Sequence, residues 1–70
     1  MAKFYYSEYI LKTLRKNGFH FVSQKGSHIK YRRELQGKIL TVIIPADRKE
    51  IPIGTFHSIL KQSNLTRSDF

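Results

Sequence analysis

"FHFVSQKGSHIKYRR", residues Phe19 to Arg33, decides how this chain folds. Side chains of an extended strand alternate between its two faces. Read that way, Ser27 to Arg33 puts His28, Lys30 and Arg32 on one face and Ile29 and Tyr31 on the other. Phe19 to Ser23 reads as the preceding strand, and Gln24-Lys25-Gly26 fits a three-residue hairpin loop with glycine in the left-handed position. That register sets Phe21 opposite Ile29 and Phe19 opposite Tyr31 on an apolar face. The other face then carries His20, Val22, His28, Lys30 and Arg32. A slip of one residue would mix the two faces.

Upstream of the hairpin, Ile10, Leu11 and Leu14 recur at helical spacing, with Lys12, Arg15 and Lys16 facing out. Ser7 is the expected N-cap, Glu8 suits the positive end of the dipole, and Asn17-Gly18 is the stop. Downstream, Gln36-Gly37 marks a turn and Lys38 to Ile44 is a β-branched third strand ended by Pro45. Pro45 to Pro52 reads as a loop carrying Asp47, Arg48, Lys49 and Glu50. A second helix is expected from about Gly54 to Gln62, burying Ile53, Phe56, Ile59 and Leu60. Asn64 is its left-handed stop, and Thr66 with Asp69 has capping-box spacing for one more turn. The order is α-β-β-β-α, an α+β fold in a single domain over residues 1–70. Its three-stranded antiparallel sheet has both helices on one face and leaves the other open.

Length and charge narrow the function. A chain of 70 residues buries only about 60% of its unfolded surface, which favours an open site over a deep cleft. Thirteen Lys and Arg against five Asp and Glu give a net charge of +8. That excess points to a polyanionic partner, nucleic acid first, on a folded basic surface. The chain has no cysteine, which removes disulfides, thiolate metal sites and a cysteine nucleophile, and fits a reducing cytosol. No apolar run reaches membrane-span length, and Met1 to Tyr6 lacks the apolar stretch of a signal peptide. A cytoplasmic protein with no membrane partner is expected.

His28 is the candidate catalyst. A strand histidine on a solvent face is commonly an ordinary polar residue, but three neighbours favour chemistry here. Gly26 lets the backbone turn tightly or approach a ligand. Ser27 adds a hydroxyl, and Lys30 and Arg32 supply fixed positive charge where a phosphorane forms. An unperturbed histidine titrates near pH 6.5, which suits a base for a ribose 2′-hydroxyl. Lys25, Lys30 and Arg32 are the expected phosphate contacts. His20 shares the face but is adequately explained as surface polarity, and His57 is expected to be half-buried and structural. Asp47 and Glu50 are the only close carboxylates, and Arg48 and Lys49 between them read as a solvated loop, so neither metal nor cofactor is expected.

Two stretches, "LRKNGFHFVSQKGSHIKYRR" and "VIIPADRKEIPIGTFHSILKQSNLT", together resemble the HicA toxins, small mRNA interferases of toxin–antitoxin pairs. The likeness runs from about Tyr9 to Phe70. Its most specific parts are Asn17-Gly18-Phe19, Lys25-Gly26-Ser27-His28, and Ile53-Gly54-Thr55 leading to Ile59-Leu60-Lys61-Gln62. The resemblance implies a double-stranded-RNA-binding-like fold and metal-free ribonuclease activity with His28 as the catalytic residue. It also implies a HicB-type antitoxin that masks His28. Many such proteins have histidine where this chain has Asp47, and often glycine where it has Asn64. The rival reading is a non-catalytic double-stranded-RNA-binding module. Such modules use a lysine cluster at the start of the last helix, and Gly54 to Ser58 has none.

Overall fold

The hairpin is present as strands β2 (His20–Lys25) and β3 (His28–Leu35), in a register different from the one expected. A computed structural model describes residues 4–70; the first three residues of the Met1–Tyr6 stretch read above lie outside them. The loop is the two-residue turn Gly26–Ser27, not Gln24-Lys25-Gly26, and Lys25 pairs with His28. Gly26 has φ +58°, a left-handed conformation that suits a tight turn between twisted strands. The shorter loop moves the pairing, and Phe21 faces Tyr31 instead of Ile29. A bulge between Phe21 and Ser23 then restores the alternation, setting Ser23 against Lys30 and His20 against Arg32. Both faces keep their character. The two-residue turn also sets Lys25 on the charged side, opposite His28.

Phe21 is the casualty of this arrangement. Expected in the core, it is 55% exposed, because β2 is an edge strand of the β2-β3-β4 sheet. Its ring meets Tyr31 edge-on at 6.2 Å. Phe19, expected at the start of the strand, precedes β2 and is buried. It completes the end of helix α1 (Ser7–Lys16): the Phe19 N–H donates to the Leu14 carbonyl at 2.9 Å and the Gly18 N–H to Arg15 at 3.1 Å. With Gly18 at φ +91°, this is the Schellman arrangement, and Phe19 and Leu14 join the same core cluster.

The start of α1 differs from expectation. Tyr6 is the N-cap and Ser7 makes no side-chain cap; instead the Ser7 N–H donates to the Lys49 carbonyl at 2.9 Å. That bond belongs to a feature the sequence reading lacked. Phe4–Tyr6 forms strand β1 and Glu50–Pro52 forms strand β5, an antiparallel ribbon inside what was expected to be a loop. Tyr5 and Ile51 face each other across it, and Tyr5 stacks on Phe56 with ring centroids 3.9 Å apart.

Strand β4 (Lys38–Pro45) pairs along the whole of β3. Helix α2 (Ile53–Ser63) begins one residue earlier than expected and ends at Asn64 with φ +61°. The Gln62 side chain accepts the Ile43 N–H at 2.9 Å, which caps the outer edge of β4. Thr66 and Asp69 form the expected capping box on the turn Arg67–Asp69. Ile10 and Leu14 of α1, Phe56 and Ile59 of α2, and Tyr31, Val42 and Ile44 of the sheet make one core with Phe19 and Ile51. The sheet residues among them share one face, so both helices lie on it. The molecule measures 35 × 29 × 17 Å; its thinnest dimension accommodates one helical layer on one sheet, and among the described residues no second layer covers the other face. Among the described residues no helix is long and apolar enough to cross a membrane.

Candidate functional site

His28 is the first residue of β3 and is exposed. The turn before it holds Gly26 and Ser27, and its partners across the sheet are Lys25 on β2 and Pro45 on β4. Lys30 lies between Ser23 and Ile43, and Arg32 between His20 and Thr41. Alternate residues of a strand share a face and each rises about 3.3 Å, which sets Lys30 and Arg32 roughly 7 and 13 Å from His28. The six residues singled out from the sequence therefore gather at one end and along one row of the uncovered face.

Lys30 and Arg32 are half-buried. Arg32 Nε is buried and has no acceptor among the described residues. Buried donors nearly always have one, so this atom is an exception in the fold. Next to the basic row, β4 turns Ile39, Thr41 and Ile43 to the same side, and Ile39 is 61% exposed. The face thus sets the basic β3 row, which ends at Glu34, beside a largely apolar β4 row.

The loop after β4 returns to the turn. The Ala46 N–H donates to the Ser27 carbonyl, and the Gln24 amide donates to the Gly26 carbonyl at 3.2 Å. Gln24, Gly26, Ser27, Ala46 and Asp47 line an open hollow of about 310 Å³. Asp47, read from the sequence as part of a solvated loop, belongs to the surroundings of the turn. Nothing in local sequence could place it there, because the contact depends on how far β4 runs along β3.

His20 lies on the same face, opposite Arg32. His57, expected to be half-buried, is exposed on α2 with Nε2 3.4 Å from Arg67 Nη2. Among the described residues no three His, Asp or Glu side chains gather into a group able to hold a metal ion. Arg15, expected simply to face out, donates to the Tyr31 hydroxyl at 3.0 Å.

Comparison with known proteins adds one finding of substance. No curated protein matches the chain. Residues 7–65 match the family described as the HicA toxin of bacterial toxin-antitoxin, a span that holds the hairpin, β4, the loop to Asp47 and both helices. The chain belongs to the HicA toxin family of bacterial toxin–antitoxin systems.

Proposed function

We propose that this toxin is a metal-independent endoribonuclease that cleaves mRNA on the uncovered sheet face, with His28 as general base. The observation that carries the reading is the position of His28: exposed, beside a positive-φ glycine turn, opposite Lys25 and in line with Lys30 and Arg32. Neutral imidazole removes the proton of a ribose 2′-hydroxyl. The freed oxygen attacks the adjacent phosphorus, the O2′–P bond forms and the P–O5′ bond breaks. Water at the open face supplies the proton that the departing 5′-oxygen needs. The products are a 2′,3′-cyclic phosphate and a 5′-hydroxyl.

Each neighbour has a part. Gly26 allows the RNA backbone to approach the turn, and Ser27 offers a hydroxyl to a phosphate oxygen. Lys25 and Lys30 stabilise the charge that builds on the phosphorane. Arg32, two residues beyond Lys30 in the same row, holds a phosphate further along the strand. Membership of a toxin–antitoxin family implies an antitoxin partner. A HicB-type protein would mask His28 by covering this face, and the Ile39 to Ile43 row offers it apolar contact beside the basic row.

The test is incubation of purified protein with RNA in EDTA, with His28→Ala alongside. Cleavage by the wild type alone, leaving cyclic phosphate ends, is the expected result. Retention of RNA without cleavage would favour the binding-module reading, and neither would leave a protein-interaction domain.

A further inference from the structure

The β1–β5 ribbon has two faces. Tyr5 and Ile51 go into the core, and Phe4, Tyr6, Glu50 and Pro52 face outward. Phe4 is 37% and Tyr6 52% exposed. Their rings meet nearly at right angles, 83° with centroids 5.4 Å apart, which makes an aromatic corner at the surface. Soluble proteins commonly expose single apolar side chains; here two aromatic rings adjoin on one strand.

The hollows beside the corner share lining residues with the hollow at the candidate site. One open hollow of about 460 Å³ is lined by Phe4, Arg48, Lys49, Glu50 and Pro52. A second, of about 780 Å³, shares Arg48 and Lys49 and continues through Tyr6 and Tyr9 to Ala46 and Asp47. Ala46 and Asp47 also line the hollow at Gly26 and Ser27. Shared residues thus relate the three hollows in turn, from Phe4 through Arg48 and Lys49 to Ala46 and Asp47 at the turn before His28. Phe4 to Tyr6 lie ahead of residues 7–65, the span matched to the family.

Charge indicates which part of a nucleic acid the corner would take. Arg48 and Lys49 are offset by Glu8, Asp47 and Glu50 along the first two hollows, on a protein whose net charge is +8. Phosphates are drawn to the β3 row, not here. What the ribbon offers is ring surface, and every base has a face that stacks on it. A base laid on one ring would meet the edge of the other. Duplex RNA keeps all but its terminal bases stacked inside, so an unpaired strand is the better occupant of such a corner.

We infer that Phe4 and Tyr6 form a stacking platform for unpaired bases of a single-stranded RNA whose scissile phosphate lies at His28. This rests on the ribonuclease reading above and adds the substrate class to it. The probe is a fluorescein-labelled single-stranded 2′-O-methyl oligoribonucleotide, which lacks the free 2′-hydroxyl and is not cut, with a blunt duplex of equal length as control. Binding is followed by anisotropy across a salt series, with melting curves for every variant.

Phe4→Ala and Tyr6→Ala should each weaken single-strand binding by roughly 5- to 150-fold, the range for losing one stacked base. Duplex binding should be unchanged. The slope of affinity against salt should also stay the same, since no phosphate contact is removed. Because the chain has no tryptophan, Tyr6→Trp keeps an aromatic ring and adds a single reporter whose emission should be quenched by the single strand. That variant decides the matter even if an alanine variant melts early. Unchanged affinity in folded variants, equal loss on duplex, or a shallower salt slope would each overturn the platform while leaving the ribonuclease reading in place. Variants that keep RNA affinity but lose antitoxin would show that the ribbon seats protein. A wild type that neither binds nor cuts any RNA would remove the parent reading, and the platform with it.

Discussion

His28 is held by backbone geometry more than by side-chain contacts: the turn before it and the ladders on both sides fix where its ring can go. His28→Ala should therefore lower the cleavage rate by about 10²–10⁴, the usual value of a general base. Replacing an exposed side chain should move stability by only about 0.5 kcal/mol, so thermal melts will separate lost chemistry from lost fold. Two glycines differ in an instructive way. At Gly26 (φ +58°) an added Cβ meets nothing within 4 Å, whereas at Gly18 (φ +91°) it would come within 3.2 Å of Arg33 Nε. Gly26→Ala should cost about 1–2 kcal/mol from the left-handed backbone alone. Gly18→Ala should cost more, because the Arg33 side chain must also move. Urea titrations of the two variants check that order, and Gly26→Ala melting below Gly18→Ala would contradict it.

Among the elements, α2 depends most on one residue. Phe56 is fully buried and meets Tyr5 of β1 and, at 5.0 Å, Phe70 of the C-terminal turn. Phe56→Ala should lose about 3–5 kcal/mol. That is comparable with the roughly 4–10 kcal/mol expected for a whole chain of 70 residues. Broad unfolding near room temperature, seen by circular dichroism, is the expected outcome; a variant that melts within a few degrees of the wild type would refute it. The end of the same helix tolerates change in the opposite direction. Asn64 already holds φ +61°, so Asn64→Gly should be neutral or slightly stabilising, and Asn64→Ala should lose about 1 kcal/mol.

On the scale of the whole molecule, the net charge of +8 and a two-layer build leave one sheet face both basic and uncovered. RNA affinity should therefore fall steeply with salt. Each phosphate contact contributes about 0.7 to the log–log slope for a single strand. Lys25→Gln, Lys30→Gln and Arg32→Gln should each lower that slope by about this amount and weaken all sequences alike. An unchanged slope in any of them removes that residue from the phosphate contacts.

The local readings that survived are those whose cause is local. The stripe of Ile10 and Leu14, the stops at Gly18 and Asn64, the capping box at Thr66 and Asp69, and the two-faced Ser27 to Arg33 run depend on neighbouring residues, and the sequence alone determined them. So did the net charge. Tertiary structure decided what depends on distance along the chain. The two-residue turn put Lys25 beside His28, the bulge opposite β3 keeps Phe21 facing Tyr31 and His20 facing Arg32, and the edge position of β2 leaves Phe21 in solvent. The β1–β5 ribbon is two strands of three residues, too short for alternation to be read, and it forms because Tyr5 and Ile51 share the core with Phe56. Asp47 reached the Gly26–Ser27 turn for the same reason: the length of β4 against β3 set where its loop came down.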